Sequence, residues 1–111
     1  MWNLGNTSGR HVALYVEDEP INVMLMQALF ERRPQWELVI ATTGDEARRL
    51  PADLVPDLLM LDLRLPDCHG TELLPELRRR PGWHIPPAVA VTAEYGFQPD
   101  GTGFDEVWAK P

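Results

Sequence analysis

The run Leu58-Leu59-Met60-Leu61 carries no polar side chain and stops at Asp62, before Leu63-Arg64-Leu65-Pro66. A stretch so short and so apolar suits a strand buried on both faces, as at the centre of a parallel sheet. An acid closing such a strand stands where strand becomes loop. In open α/β sheets that edge binds the ligand. Three other places repeat the arrangement. Glu17-Asp18-Glu19 follow Val12-Ala13-Leu14-Tyr15-Val16, Thr92 closes Ala88-Val89-Ala90-Val91, and Lys110 closes Val107-Trp108-Ala109 ahead of Pro111. Several carboxylates, one hydroxyl and one ammonium therefore meet at one sheet edge. That set of groups suits a divalent cation and a phosphoryl group.

Around these points, strands and helices alternate. His11–Val16 reads as a first buried strand, and Pro20 suits the first turn of a helix running to about Arg33. Ile21, Leu25, Ala28 and Leu29 fall at the spacing of a core-facing stripe, and Met24, Met26 and Phe30 also read as core. Pro34 ends this helix. Trp36–Ala41 reads as a second strand. Thr43-Gly44-Asp45 forms the turn before a short helix ending near Leu50. Asp57–Leu63 is the third strand. The next helix carries Leu73, Leu74 and Leu77 at core spacing up to about Arg80, and Pro75 predicts that it starts late or is kinked. Pro86–Thr92 and Glu106–Lys110 complete a five-stranded parallel sheet with right-handed crossovers. Between Thr92 and Glu106, three glycines and a proline predict a short or irregular fourth helix. The sequence stops at Pro111 without a fifth helix, so one sheet face is expected to be uncovered, which would favour a homodimer. Residues 1–10 read as a flexible tail, with Trp2 an apolar handle, and residues 11–111 as one domain.

Charge and cysteine content narrow the function classes. A net charge of −7 disfavours a nucleic-acid surface, and the short basic run Arg78-Arg79-Arg80 reads as a solvated helix end. No apolar stretch approaches the roughly 20 residues of a membrane helix, and the first residues lack a signal-peptide pattern. The single Cys68 has no internal disulfide partner, and a cytoplasmic location follows as the expectation. Nothing beside Cys68 in sequence lowers its pKa. His11, His69 and His84 lack metal-ligand spacing and read as ordinary surface or strand-edge residues.

The acids, the hydroxyl, the lysine and their spacing resemble the receiver domain of two-component response regulators. Asp62 stands 44 positions after Asp18, and Thr92 stands 30 after Asp62. Leu61-Asp62-Leu63-Arg64-Leu65-Pro66-Asp67 with Gly70, Val91-Thr92-Ala93 and Lys110-Pro111 complete the likeness, which covers residues 11–111. The stretch Thr42-Thr43-Gly44-Asp45-Glu46-Ala47 is similar to receivers of hybrid histidine kinases. The resemblance implies a flavodoxin-like doubly wound fold. It implies phosphoryl transfer from a sensor histidine kinase or phosphotransfer domain to Asp62, helped by Thr92 and Lys110. The ion would be Mg²⁺, with Mn²⁺ as an alternative, held by Glu17, Asp18, Asp62 and the backbone carbonyl of Arg64. Such a chain is not a turnover enzyme: it promotes its own phosphorylation and dephosphorylation, and signals to an output protein or domain by switching conformation.

Elementary chemistry supports that assignment. A carboxylate and a phosphoryl donor repel each other, and a hard divalent cation with oxygen ligands offsets the repulsion. Asp62 can then act as a nucleophile and become an acyl phosphate. One alternative is a phosphorylation-independent pseudo-receiver that serves as an interaction scaffold. A haloacid-dehalogenase-type phosphatase would need an acid where Arg64 stands. The sequence also departs from the receiver pattern. Val107 occupies the position three before the lysine where an aromatic is usual, and Trp108 follows it. Output is therefore expected through another surface drawn from Tyr95, Phe97, Phe104 or Trp108, each of which also reads as local core packing. Arg64, two residues past Asp62, stands where it would either tune access of the hydrolytic water or simply be solvated.

Overall fold

The computed structural model describes residues 10–110. The expected tail, apart from Arg10, lies outside the described residues, as do Trp2 and Pro111. The elements are β1 (His11–Val16), α1 (Pro20–Glu31), β2 (Trp36–Ala41), α2 (Gly44–Arg48), β3 (Leu58–Leu61), α3 (Gly70–Arg78), β4 (Ala88–Thr92) and β5 (Glu106–Ala109). All neighbouring strands pair in parallel in the order β2-β1-β3-β4-β5. This is the flavodoxin-like doubly wound order that the resemblance implied, built on the parallel sheet that the alternation predicted. Register aligns the strand ends: Val16 sits opposite both Ala41 and Leu61, and Thr92 opposite Ala109. The Asp62 amide donates to the Val16 carbonyl, and the Lys110 amide to that of Thr92, each at 2.9 Å. The residue after each of these strands therefore emerges at one edge.

Alternation along the strands divides the core into two layers. Leu14, Val16, Leu59, Leu61, Ala88 and Ala90 face Ala47 of α2 and Leu73, Leu74 and Leu77 of α3, with Trp83 and Phe104 completing that layer. Ala13, Tyr15, Met60, Val89 and Val91 face the other way, toward Met26 of α1. Each fully buried Leu or Val adds about 1.5–3 kcal/mol of apolar transfer. Trp83 is the largest fully buried side chain; its indole N–H donates to the Leu54 carbonyl at 2.9 Å, and the Arg80 guanidinium lies 4.5 Å above its ring.

The stripe expected on α1 is corrected by the fold. Ile21, Leu25, Ala28 and Leu29 face solvent, as does Met24, while Met26 is buried and Phe30 half-buried. This helix is apolar on nearly every side, so spacing alone allowed two stripes about a third of a turn apart. Packing on the sheet selected the one through Met26 and Phe30.

The other helices are set by their caps. The Thr43 hydroxyl accepts the Glu46 amide, and the Asp67 carboxylate accepts those of Gly44 and Asp45 at 2.9 and 2.8 Å. The turn expected at Gly44-Asp45 is thus the first turn of α2. At α3, the His69 ring accepts the Thr71 amide at 3.2 Å, while Glu72 reaches back to the His69 amide at 3.1 Å. Of the late start or kink expected from Pro75, the late start does not occur: α3 begins at Gly70 and runs through Pro75. Proline at that position removes only the bond to the Thr71 carbonyl, one turn from the helix start. The basic run is also corrected: Arg80 binds the carbonyls of Arg48, Leu50 and Pro51, and Arg78 those of Trp83 and Pro86, closing loops around the end of α2 and before β4.

Between β4 and β5 the described chain forms no helix where a short or irregular one was expected, because glycines with positive φ break every turn that could start one. Gly96 and Gly103 take φ of +79° and +90°, a region that Cβ-bearing residues rarely occupy. Phe104 is buried there and stacks edge-on with Phe97 at 6.3 Å.

Candidate functional site

β1, β3, β4 and β5 deliver Glu17, Asp62, Thr92 and Lys110 to one edge. The chain turns out of the sheet after each strand, so Asp62, Thr92 and Lys110 line a shared cleft, with Glu17 buried against the Lys110 ammonium. Asp62, Arg64, Thr92, Ala93, Glu94, Tyr95 and Lys110 line about 540 Å³ of it. Glu17, Asp62 and Thr92 are buried, and Asp18 is exposed. The Lys110 ammonium bridges the two buried acids, 2.6 Å from Glu17 Oε1 and 2.9 Å from Asp62 Oδ2. The Tyr15 hydroxyl also donates to Glu17 Oε1, at 3.0 Å, and the Glu19 amide donates to Oε2 at 3.1 Å. Asp62 Oδ1 takes the Arg64 amide at 3.3 Å. Thr92 Oγ1 accepts the Glu94 amide at 2.9 Å, which leaves its proton free to donate toward the cleft.

Electrostatics separates the two acids. Burial, reinforced by the charge of Glu17, pushes Asp62 above the usual carboxylate range, with Lys110 opposing. Burial also acts upward on Glu17, but its hydrogen bonds from Lys110, the Glu19 amide and Tyr15 win and hold it below its ordinary value. Lys110 is raised: its two carboxylate partners outweigh its desolvation. Tyr15 is driven far upward by burial and then by Glu17, so its phenol keeps its proton.

A divalent cation fits this edge. Glu17, Asp18 and Asp62 each offer an oxygen, and these atoms lie within 4.8 Å of one another. Three hard donors around an exposed carboxylate are a set that Mg²⁺ or Mn²⁺ accepts.

Each acid, hydroxyl and ammonium selected from sequence thus reaches the same edge. Arg64 lies beside it, its exposed guanidinium 3.6 Å from Glu94 Oε2, and the His69 ring is 3.5 Å from the same oxygen. Sequence reasoning took His69 for an ordinary surface residue and passed over Glu94 and Tyr15. The traceable signals were an acid two residues past Thr92 and a lone hydroxyl in an aliphatic strand. The aromatic set divides: Phe104 is core, Phe97 packs against it, and Tyr95 is fully exposed at the rim of the cleft. Trp108 is 41% exposed, on the sheet face opposite Val107, which packs on the α3 side. Cys68 is half-buried, and burial raises its thiol pKa, so it is a poor nucleophile.

Comparison with known proteins agrees with this geometry. The family described as Response regulator receiver domain matches residues 13–100. The chain is 33% identical over 102 residues to the aerobic respiration control sensor protein ArcB of Escherichia coli K12, a match covering 88% of this chain and 13% of ArcB. It is 32% identical over 105 residues to the phosphate regulon transcriptional regulatory protein PhoB of Rhizobium meliloti, covering 90% of this chain and 45% of that one. It spans well under two thirds of either relative. Among solved structures it is similar to the receiver domain of sensor histidine kinase PA1611 from Pseudomonas aeruginosa, which has a magnesium ion in its active-site cleft. That likeness has a TM-score of 0.78 and 25% identity over 92% of this chain and 86% of the other. The response regulator TrrA of Thermotoga maritima, in complex with Mg²⁺ and BeF, gives 0.75 and 28% over 91% and 87%.

Proposed function

The chain belongs to the response regulator receiver domain family, and from that premise we propose that Asp62 accepts a phosphoryl group from a phosphohistidine. The donor is a histidine kinase or a phosphotransfer domain. The observation that carries this is the Lys110 ammonium seated on Asp62 Oδ2 inside a cleft that also holds the Thr92 hydroxyl. Glu17, Asp18, Asp62 and the Arg64 carbonyl would hold Mg²⁺, or Mn²⁺ in its place. When bound, the ion supplies the positive charge that lets two anionic partners meet.

The chain's own groups do the rest. An Asp62 carboxylate oxygen forms a bond to phosphorus as the bond from phosphorus to the histidine nitrogen breaks, and the ring, protonated beforehand at its other nitrogen, leaves with the bonding pair as neutral imidazole. Lys110 turns from Asp62 to a phosphoryl oxygen, and Thr92 donates its free proton to another. Water later cleaves the acyl phosphate and restores Asp62, so the chain is a substrate and a timer rather than a turnover enzyme. The phosphorylated and free forms bias a two-state equilibrium that an output protein or domain reads. With Val107 in place of an aromatic and no helix between β4 and β5 among the described residues, the exposed Tyr95, at the rim of the cleft, and Trp108, on β5, are the aromatic groups offered to such a partner. No helix of the described chain is long and apolar enough to cross a membrane, and we place the domain on the cytoplasmic side, where kinase phosphohistidines are made.

The test is intact mass after incubation with Mg²⁺ and acetyl phosphate, beside Asp62→Asn. A single phosphoryl adduct on the wild type alone is the expected result. A folded wild type without adduct refutes the proposal and leaves a phosphorylation-independent scaffold.

A further inference from the structure

Tyr15 has no part in the chemistry above, yet its hydroxyl reaches the centre of the site. The side chain is 1% exposed and its ring packs in the layer of Met26, Met60 and Val91. Its oxygen donates to Glu17 Oε1, the same atom that takes the Lys110 ammonium. Glu17 is itself fully buried, and the protein groups that hold its charge are three donors: Lys110, Tyr15 and the Glu19 amide. A buried carboxylate that loses its donors is strongly destabilised. When Lys110 moves to a phosphoryl oxygen, the Tyr15 hydroxyl is the protein donor that stays on Glu17 Oε1.

We propose that Tyr15 is a positioning residue of the phosphoacceptor site: its phenol holds Glu17 Oε1 so that Lys110 can shift from the two acids to an incoming phosphoryl oxygen. The inference rests on the phosphoacceptor reading of Asp62. A neutral donor is the right kind of group for this task. It stabilises Glu17 without adding a second cation that would compete with Lys110 or repel a metal. Phenylalanine would fill the same apolar space and delete only the hydroxyl, which isolates the effect.

The experiment compares wild type, Tyr15→Phe, Glu17→Gln and the double variant, each checked for folding by circular dichroism. Three quantities are read: affinity for Mg²⁺ alone, affinity for beryllofluoride at saturating Mg²⁺, and the rate of adduct formation with acetyl phosphate. Tyr15→Phe is expected to lower the last two by roughly tenfold, the scale of one hydrogen bond to a charged group, with Mg²⁺ affinity within about twofold of wild type. In the Glu17→Gln background the same change is expected to have almost no further effect. An unchanged rate in Tyr15→Phe overturns this inference alone. So does a loss of Mg²⁺ affinity as large as the loss of beryllofluoride affinity, or a full tenfold effect without Glu17. A wild type that takes no phosphoryl group overturns the phosphoacceptor reading and this one with it.

Discussion

Gly70 offers a test in which geometry and intuition point in different directions. It opens α3 directly beneath the loop that follows β3. A Cβ there would lie 2.7 Å from the Asp62 carbonyl oxygen and 3.1 Å from Leu63 Cα. Both are backbone atoms and cannot swing aside. Retreat is blocked as well, because the Gly70 amide donates to the Leu63 carbonyl at 2.7 Å. At Gly44 the added Cβ would come closer still, 2.5 Å from Cys68 Sγ, but that atom ends a side chain that can rotate. Neither residue has a positive φ, so backbone strain plays no part. Alanine would gain up to about 1 kcal/mol of helix propensity at either site, against an overpacking cost of about 1–3 kcal/mol where the neighbour is rigid. Gly70→Ala is therefore expected to lose about 1–2 kcal/mol, a fall in Tm of roughly 4–8 °C per kcal/mol in a domain of this size. Gly44→Ala is expected to lose less despite the shorter contact. Thermal and urea denaturation of both variants decide the matter. If Gly44→Ala proves the more damaging, or Gly70→Ala matches the wild type, the identity of the touching atom is the wrong guide. Because the obstructed atom is the carbonyl of Asp62 itself, Gly70→Ala should also weaken Mg²⁺ binding.

Asp62 binds its proton more tightly folded than unfolded, so its contribution to stability is present at low pH and is lost as pH rises through its raised folded value. In metal-free buffer at pH 7, Asp62→Asn should then be more stable than the wild type, with the gap shrinking toward pH 4 and on adding Mg²⁺; a less stable variant at pH 7 would contradict this. Trp83→Ala removes a fully buried ring together with its bond to Leu54 and its contact with Arg80. A loss of about 3–5 kcal/mol in urea denaturation is expected, and a loss below about 1 kcal/mol would mean that the pocket collapses around the gap.

What could be read from the chain depended on how many independent signals a segment carried. The strands and the site residues combined apolar runs, a breaking proline or glycine, and a polar residue at each strand end. These cues agree only for one sheet edge. For the buried face of α1 the chain carried a single cue, apolar spacing, and with Ile21, Val23, Met24, Leu25, Met26 and Leu29 in one helix that cue fits two faces. Tertiary packing chose between them, and no local rule can see it. The roles of Arg78 and Arg80 were hidden for a similar reason. Their partners are backbone carbonyls 5 to 32 residues away in sequence, and a carbonyl leaves no mark in the residue types. Glu94 and His69 meet only because the loop after β4 folds over the start of α3. Tyr15 was concealed by its own suitability for the core: the ring fits an inward strand position, and only the coordinates show where its oxygen goes.

The order β2-β1-β3-β4-β5 also governs when the site can exist. Glu17 and Asp62 leave the ribosome well before Lys110, which follows the last strand. Until β5 docks against β4, the two acids have no ammonium between them, and their repulsion opposes the closing of β1 on β3. The charge that completes the site thus arrives last, along with the outermost strand. On the phosphoacceptor reading, a chain whose β5 is not yet docked lacks the ammonium that the reaction uses, so a capacity for phosphorylation would report that β5 has docked on β4.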